Sequence, residues 1–172
     1  MRRPFLLAII VIIALIGAGA YYLTQGETDS DSDTPEQRPA FTLPDLDGDD
    51  RAISEWDGDV IMLNFWASWC PPCRREIPAF IELQEDFGEQ GFQVIGVAID
   101  DRQAVIDFTD PMGVNYPLLL GTRDGIEIAE AYGNDIGVLP YTVFIDRGGR
   151  VVETHRSELD YEEVEAIIEP LL

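Results

Sequence analysis

The pattern of apolar and polar positions divides the 172 residues into three stretches. Residues 5–23 run for 19 positions without a charge. As a helix they would reach roughly 28 Å, close to the hydrocarbon thickness of a bilayer. Residues 24–40 hold few apolar side chains and carry Asp29-Ser30-Asp31-Ser32-Asp33, a composition that reads as a disordered, self-repelling spacer. From residue 41 the pattern becomes globular. The expected organisation is a membrane segment at 1–23, an acidic linker at 24–40 and one folded domain at 41–172.

Within the domain, short apolar segments around residues 41–43 and 52–53 flank a turn-rich Asp45-Leu46-Asp47-Gly48-Asp49-Asp50 and predict an N-terminal hairpin. Residues 60–65 and 92–99 are near-continuous apolar runs, as expected of strands covered on both faces. Between them, Ile77, Phe80, Ile81, Leu83 and Phe87 recur at helical spacing over 74–87, with Pro78 one turn in. Asp100 or Asp101 is placed to cap a helix carrying Ala104, Val105 and Phe108. A short strand at 116–120, a helix at 126–132, two strands at 141–146 and 150–153 joined by Arg147-Gly148-Gly149, and an amphipathic helix at 160–172 complete the pattern. Strands alternating with helices and ending in a hairpin plus helix predict an α/β domain: a central mixed sheet with helices on both faces.

Charge narrows the partners. The chain carries 33 acidic and 11 basic residues, net −22, and all basic residues are arginine. Such a surface repels phosphate and excludes a nucleic-acid-binding role. The absence of lysine fits a protein adapted to high salt, and equally an acidic protein of high-GC codon usage. Arg2 and Arg3 precede the apolar segment and every acid follows it, which by the positive-inside rule puts the folded domain outside the cytoplasm. Ala18-Gly19-Ala20 resembles a signal-peptidase site, but the apolar core exceeds a usual signal and favours a retained anchor.

The candidate chemistry lies at the junction of the first long strand and its helix. Cys70 and Cys73, in Trp69-Cys70-Pro71-Pro72-Cys73, are the only cysteines. At a strand-to-helix junction the first sulfur meets free backbone N–H groups and the positive end of the helix dipole, which favour a thiolate. The pair can exchange two electrons through a mixed disulfide. A zinc or copper site needs further ligands, and the single histidine, His155, lies past the strand ending near Glu153. A purely structural role explains the spacing poorly, because so small a loop removes little unfolded-chain entropy. A redox pair is therefore expected, with no metal and no cofactor. Pro71 and Pro72 supply no N–H, so two donors to the Cys70 thiolate are missing.

Phe65-Trp66-Ala67-Ser68-Trp69-Cys70-Pro71-Pro72-Cys73-Arg74-Arg75-Glu76-Ile77-Pro78, followed downstream by Gly137-Val138-Leu139-Pro140-Tyr141-Thr142-Val143-Phe144-Ile145-Asp146, resembles the thioredoxin superfamily. More narrowly, it is similar to the membrane-anchored thiol-disulfide oxidoreductases of the TlpA/ResA type. The resemblance implies a thioredoxin-like fold with an N-terminal hairpin and an inserted helix–strand unit at 101–120. It implies that Cys70 is the exposed nucleophile and Cys73 the buried resolving thiol, and that Pro140 is cis beside them, with the Leu139 backbone free to pair with a substrate strand. Glu76, one turn after Cys73, is associated with thiol proton handling; the plainer alternative is an acid favoured by the helix dipole. Asn64 stands where thioredoxins carry a buried aspartate and cannot titrate. Trp69, with Pro71, is expected on the docking surface around Cys70, and Trp66 in the same role or in the core.

The expected activity is reduction of disulfides in partner proteins, apocytochrome c among them, by a monomer recharged by a membrane thiol–disulfide electron donor. Two competitors remain. A peroxiredoxin-like thiol peroxidase would carry a proline ahead of its reactive cysteine, and Phe65-Trp66-Ala67-Ser68-Trp69 has none. A non-catalytic binding module, such as a metal chaperone, would need a further ligand near the cysteines.

Overall fold

The computed structural model describes residues 36–172. The expected membrane segment at 1–23 and the linker as far as residue 35 lie outside the described residues; among those described, no helix is long and apolar enough to cross a membrane. Residues 36–40, assigned to the linker from sequence, pair with the folded domain: the Val151 N–H donates to the Glu36 carbonyl at 3.1 Å and the Arg38 N–H to the Gly149 carbonyl at 2.9 Å.

The first strands, β1 (Thr42–Pro44) and β2 (Asp50–Ala52), form the expected antiparallel hairpin. The Asp45 carboxylate shapes its turn by accepting the N–H groups of Asp47, Gly48 and Asp49. The main sheet holds β3 (Val60–Trp66), β4 (Phe92–Ala98), β5 (Leu118–Leu120), β6 (Tyr141–Ile145) and β7 (Val151–His155), ordered β5-β4-β3-β6-β7. β3, β4 and β5 are parallel; β6 runs antiparallel to β3, and β7 antiparallel to β6, giving the mixed sheet. β3 occupies the centre because each of its residues is buried, which a strand covered on both faces requires.

Among the described residues, four α-helices cover the sheet: α1 (Pro71–Phe87), α2 (Arg102–Thr109), α3 (Thr122–Ala131) and α4 (Tyr161–Ile168). Ile77, Phe80 and Leu83 of α1 pack with Val105 of α2, Val164 and Ile168 of α4, and Val60, Met62 and Trp66 of β3. On the other face, Ile61, Leu63 and Phe65 of β3 meet Leu43 and Trp56 beside the hairpin and Ala129 of α3. The alternation along β3 thus splits one apolar run between two cores. The inserted unit is α2 with β5, which extends the sheet beyond β4.

Element boundaries moved where side chains chose partners that the local sequence does not reveal. α1 starts at Pro71 rather than Arg74, because proline suits the first helical turn, where N–H groups lack intrahelical acceptors anyway. It runs unbroken through Pro78. α4 begins as expected after Asp160, whose carboxylate accepts the Glu163 N–H at 2.9 Å while Glu163 accepts the Asp160 N–H at 3.0 Å. Asp101 precedes α2 but its side chain makes no capping bond, and Asp100 serves a different purpose, described below.

Candidate active site

The chemistry gathers at the carboxyl end of β3. Phe65 pairs with Tyr141 and Trp66 with Ala98, so the segments just beyond them, 67–70, 139–140 and 99–100, converge on one edge of the sheet. Cys70 and Cys73 are joined in a disulfide. The Leu139–Pro140 peptide is cis.

Cys70 is the residue immediately before α1. Pro71 and Pro72 fill the first two helical positions, so the first N–H the helix can offer is that of Cys73, and it points at the Cys70 sulfur at 3.4 Å. The two prolines therefore thin the field on Cys70 to one backbone donor plus the dipole. In the disulfide Cys70 is 4% exposed and Cys73 fully buried. The order of accessibility expected from sequence holds, but Cys70 sits at the rim of the core rather than in the open.

The turn that presents Cys70 is anchored from β4. Asp100 accepts both the Ser68 N–H, at 2.9 Å, and the Ser68 hydroxyl, at 2.6 Å. Ile99 donates its N–H to the Trp66 carbonyl at 2.8 Å. Asp100 thus fixes the residues leading into Cys70 instead of capping α2. The sequence did show an acid at the end of β4, but nothing local distinguishes a cap from a cross-strand anchor.

The two tryptophans part company. Trp69 is 65% exposed beside Cys70. Trp66 is buried against Phe108, ring centroids 5.8 Å apart, so it belongs to the core and not to a docking surface. Its Nε1 has no hydrogen-bond partner.

One helical turn beyond Cys73 on α1 lies Glu76, only 1% exposed. It stands beyond the first turn of α1, where the dipole alone would not explain it. The Asn64 amide donates to one carboxylate oxygen at 2.9 Å, and the Leu159 N–H to the other at 3.3 Å. Asn64 also donates to the Thr142 hydroxyl at 3.0 Å from the neighbouring strand. Burial pushes the Glu76 carboxyl up to about 8, outweighing the two donors, which act to lower it; the nearby Glu158 charge adds a smaller upward push. Thr142 and Leu159 were not singled out from sequence, since both act across long separations and one acts through its backbone.

Between Trp69 and the cis bond lies a groove of about 310 Å³ lined by Trp69, Ile99, Ile126, Ala129, Asn134, Gly137 and Leu139. Pro71 is on the opposite flank, with Arg74, Arg75, Phe108 and Met112. Site residues proposed from sequence, Cys70, Cys73, Glu76, Trp69, Pro71, Leu139 and Pro140, are thus placed at one end of the domain. His155 is apart, its Nε2 2.8 Å from the Ser157 hydroxyl. Among the described residues, no three His, Cys, Asp or Glu side chains group to hold a metal ion.

The AhpC/TSA family model matches residues 35–154, most of the chain. The chain belongs to the AhpC/TSA family. Curated relatives of this chain are named thiol-disulfide oxidoreductase ResA. The one from Halalkalibacterium halodurans is 30% identical over 164 residues, spanning 95% of this chain and 91% of the relative. The one from Geobacillus kaustophilus is 30% identical over 174 residues, 99% and 94% of the two chains. Among solved structures, a thioredoxin-family thiol:disulfide interchange protein from Chlorobium tepidum superposes with a TM-score of 0.73 at 27% identity, covering 80% of this chain and 96% of its own. A second from that organism, described as a putative thiol:disulfide interchange protein DsbE, gives 0.69 at 28% identity over 78% and 92%. This AhpC/TSA member is a thiol-disulfide oxidoreductase of the ResA/DsbE type with a thioredoxin-like fold.

Proposed function

We propose that this protein uses the Cys70–Cys73 dithiol to reduce disulfides in partner proteins outside the cytoplasm, tethered by residues 1–23. The observation that carries the reading is the disulfide itself, set at the first turn of α1 with Cys70 at the rim of the core and the buried carboxyl of Glu76 one helical turn beyond Cys73.

In the reduced protein the Cys70 thiolate, favoured by the Cys73 N–H and the helix dipole, attacks one sulfur of a substrate disulfide. That bond breaks, one substrate thiolate leaves, and a mixed disulfide forms. Cys73 then loses its proton and attacks the Cys70 sulfur; the second substrate thiolate leaves and the Cys70–Cys73 bond is restored. Two electrons have passed to the substrate. Glu76 is one helical turn from Cys73, and its carboxyl, raised to about 8 by burial, is in its ionised form a stronger base than an ordinary carboxylate and takes the Cys73 proton. Trp69 and the Leu139 backbone frame the substrate strand. An external dithiol donor at the membrane recharges the pair. Apocytochrome c, whose paired cysteines must be reduced before haem attachment, is the substrate class that the ResA/DsbE likeness favours.

The test pairs a potential with a trap. The Cys70–Cys73 potential is measured in dithiothreitol redox buffers, and Cys73→Ser is used to hold mixed disulfides on Cys70. A potential near that of thioredoxin, about −270 mV, with a disulfide-linked cysteine-pair protein on the trap, supports the reading. A strongly oxidising potential reverses the direction of flow. Rapid turnover of hydrogen peroxide without a protein disulfide would assign a peroxidase instead.

A further inference from the structure

The flank of the disulfide opposite the apolar groove has a different chemistry. Pro71, Arg74, Arg75, Phe108 and Met112 line an open depression of about 470 Å³. Pro71 directly follows Cys70, so the depression abuts the reactive sulfur. Phe108 forms its floor, held from behind by Trp66. The Arg74 guanidinium lies over the Phe108 ring, 4.9 Å from its centroid, which orients the cation without neutralising it.

Arginine pairing elsewhere makes Arg74 unusual. Arg38, Arg51, Arg75, Arg150 and Arg156 each meet a carboxylate. Arg102 and Arg147 donate to backbone carbonyls. Among the described residues that leaves the side chains of Arg74 and Arg123 with neither a hydrogen bond nor an ion pair, and only Arg74 stands at the active site. In a chain with 33 acids, an unpaired, ring-mounted cation beside the nucleophile is a local reversal of sign.

From the unpaired Arg74 on Phe108 beside Cys70, we infer that this depression docks a partner polypeptide carrying an acidic residue and an apolar residue next to its cysteine. The carboxylate meets Arg74, and the apolar side chain covers Phe108 and Met112. The inference rests on the oxidoreductase reading and names which substrate segments it prefers. Asp107 and Asp110, on the chain either side of Phe108, keep the positive region small, so the preference is for one acid in one place rather than for acidic proteins at large.

The experiment uses the reduced full-length protein and short cystine peptides that differ only beside the cysteine, Asp-Leu, Asn-Leu or Arg-Leu, at 0.15 M salt. There the Debye length of about 8 Å suppresses the field of distant acids. The readout is the ratio of exchange rates for the Asp and Asn peptides within each protein, which cancels any change in intrinsic Cys70 reactivity. The expected ratio is about threefold, the scale of an exposed ion pair; it falls to one or below in Arg74→Gln and inverts in favour of the Arg peptide in Arg74→Glu. A ratio of one or less in the parent, or one that Arg74→Gln leaves unchanged, overturns the docking inference while exchange with the Asn peptide still upholds the oxidoreductase. No exchange with any peptide removes both. Oxidised glutathione reacting as fast as the Asp-Leu peptide would assign the site to a small acidic disulfide and overturn the polypeptide partner.

Discussion

The two faces of the central sheet are built to different standards. On the face away from α1, the buried polar groups are matched: the Tyr132 hydroxyl donates to the Pro39 carbonyl at 2.7 Å and the Tyr141 hydroxyl to the Tyr132 carbonyl at 2.8 Å. Phe41 and Phe65 pack around Tyr132, and Phe65 around Tyr141, with centroids 6.1 Å apart in each pair. The α1 face holds the disulfide, a buried carboxyl at Glu76 and an indole N–H at Trp66 without a partner. Unmatched buried polar atoms each cost about 1–3 kcal/mol. One face matches its buried polar groups; the other carries one unpaired indole N–H and a buried carboxyl one helical turn from the redox pair.

Substitution at Glu76 should break this contrast most strongly. Its carboxyl is raised from 4.5 to about 8 in the folded protein. Between those values the folded state holds a proton that the unfolded state has released, so stability falls as pH rises through the window and levels off above about 8. The full loss is on the order of 5 kcal/mol at most. Glu76→Gln should flatten that fall and be the more stable protein at pH 9, read by denaturant melts of the oxidised form from pH 4.5 to 9. Parallel curves for the two proteins would show that Glu76 ionises without penalty.

Gly96→Ala tests how tightly the α1 face is packed. A methyl group there would come 2.8 Å from Leu118 Cδ2 and 3.1 Å from Trp66 Nε1. Both neighbours are buried, so accommodating it should cost about 1–3 kcal/mol. An unchanged urea midpoint would mean that this core has slack. The smallest effect belongs to the face away from α1, where Tyr132→Phe loses the bond to Pro39 and about 1 kcal/mol. Its disulfide-exchange rate should stay within twofold of the parent. A larger kinetic change would mean that the faces are coupled.

What the sequence disclosed follows the same division. Apolar runs identified β3 and β4 because a strand buried on both sides has no room for polar residues. The Cys70-Pro71-Pro72-Cys73 motif and Pro140 marked the site because their chemistry is carried in consecutive residues. The support beneath was harder to see. Glu76 meets Leu159 from 83 positions away and Asn64 from 12, and Ser68 meets Asp100 from 32. No periodicity encodes such pairs. Trp66 and Trp69 were alike in sequence and opposite in exposure, since β3 turns the first inward and the second falls beyond the strand's end. Nothing in the sequence set Arg74 apart from the other arginines; the fold does, by laying Phe108 under it.

The place where the described chain enters the domain also bears on reach. Glu36 and Arg38 are stitched to Val151 and Gly149 at the β6–β7 turn. Because β6 runs against β3, that turn lies at the end of the sheet remote from Cys70, about 20 Å away along the seven residues of β3. The chain therefore enters the domain at the heel of the sheet, and residues 36–38 leave uncovered the segments 67–70 and 139–140 that converge on the disulfide at the toe.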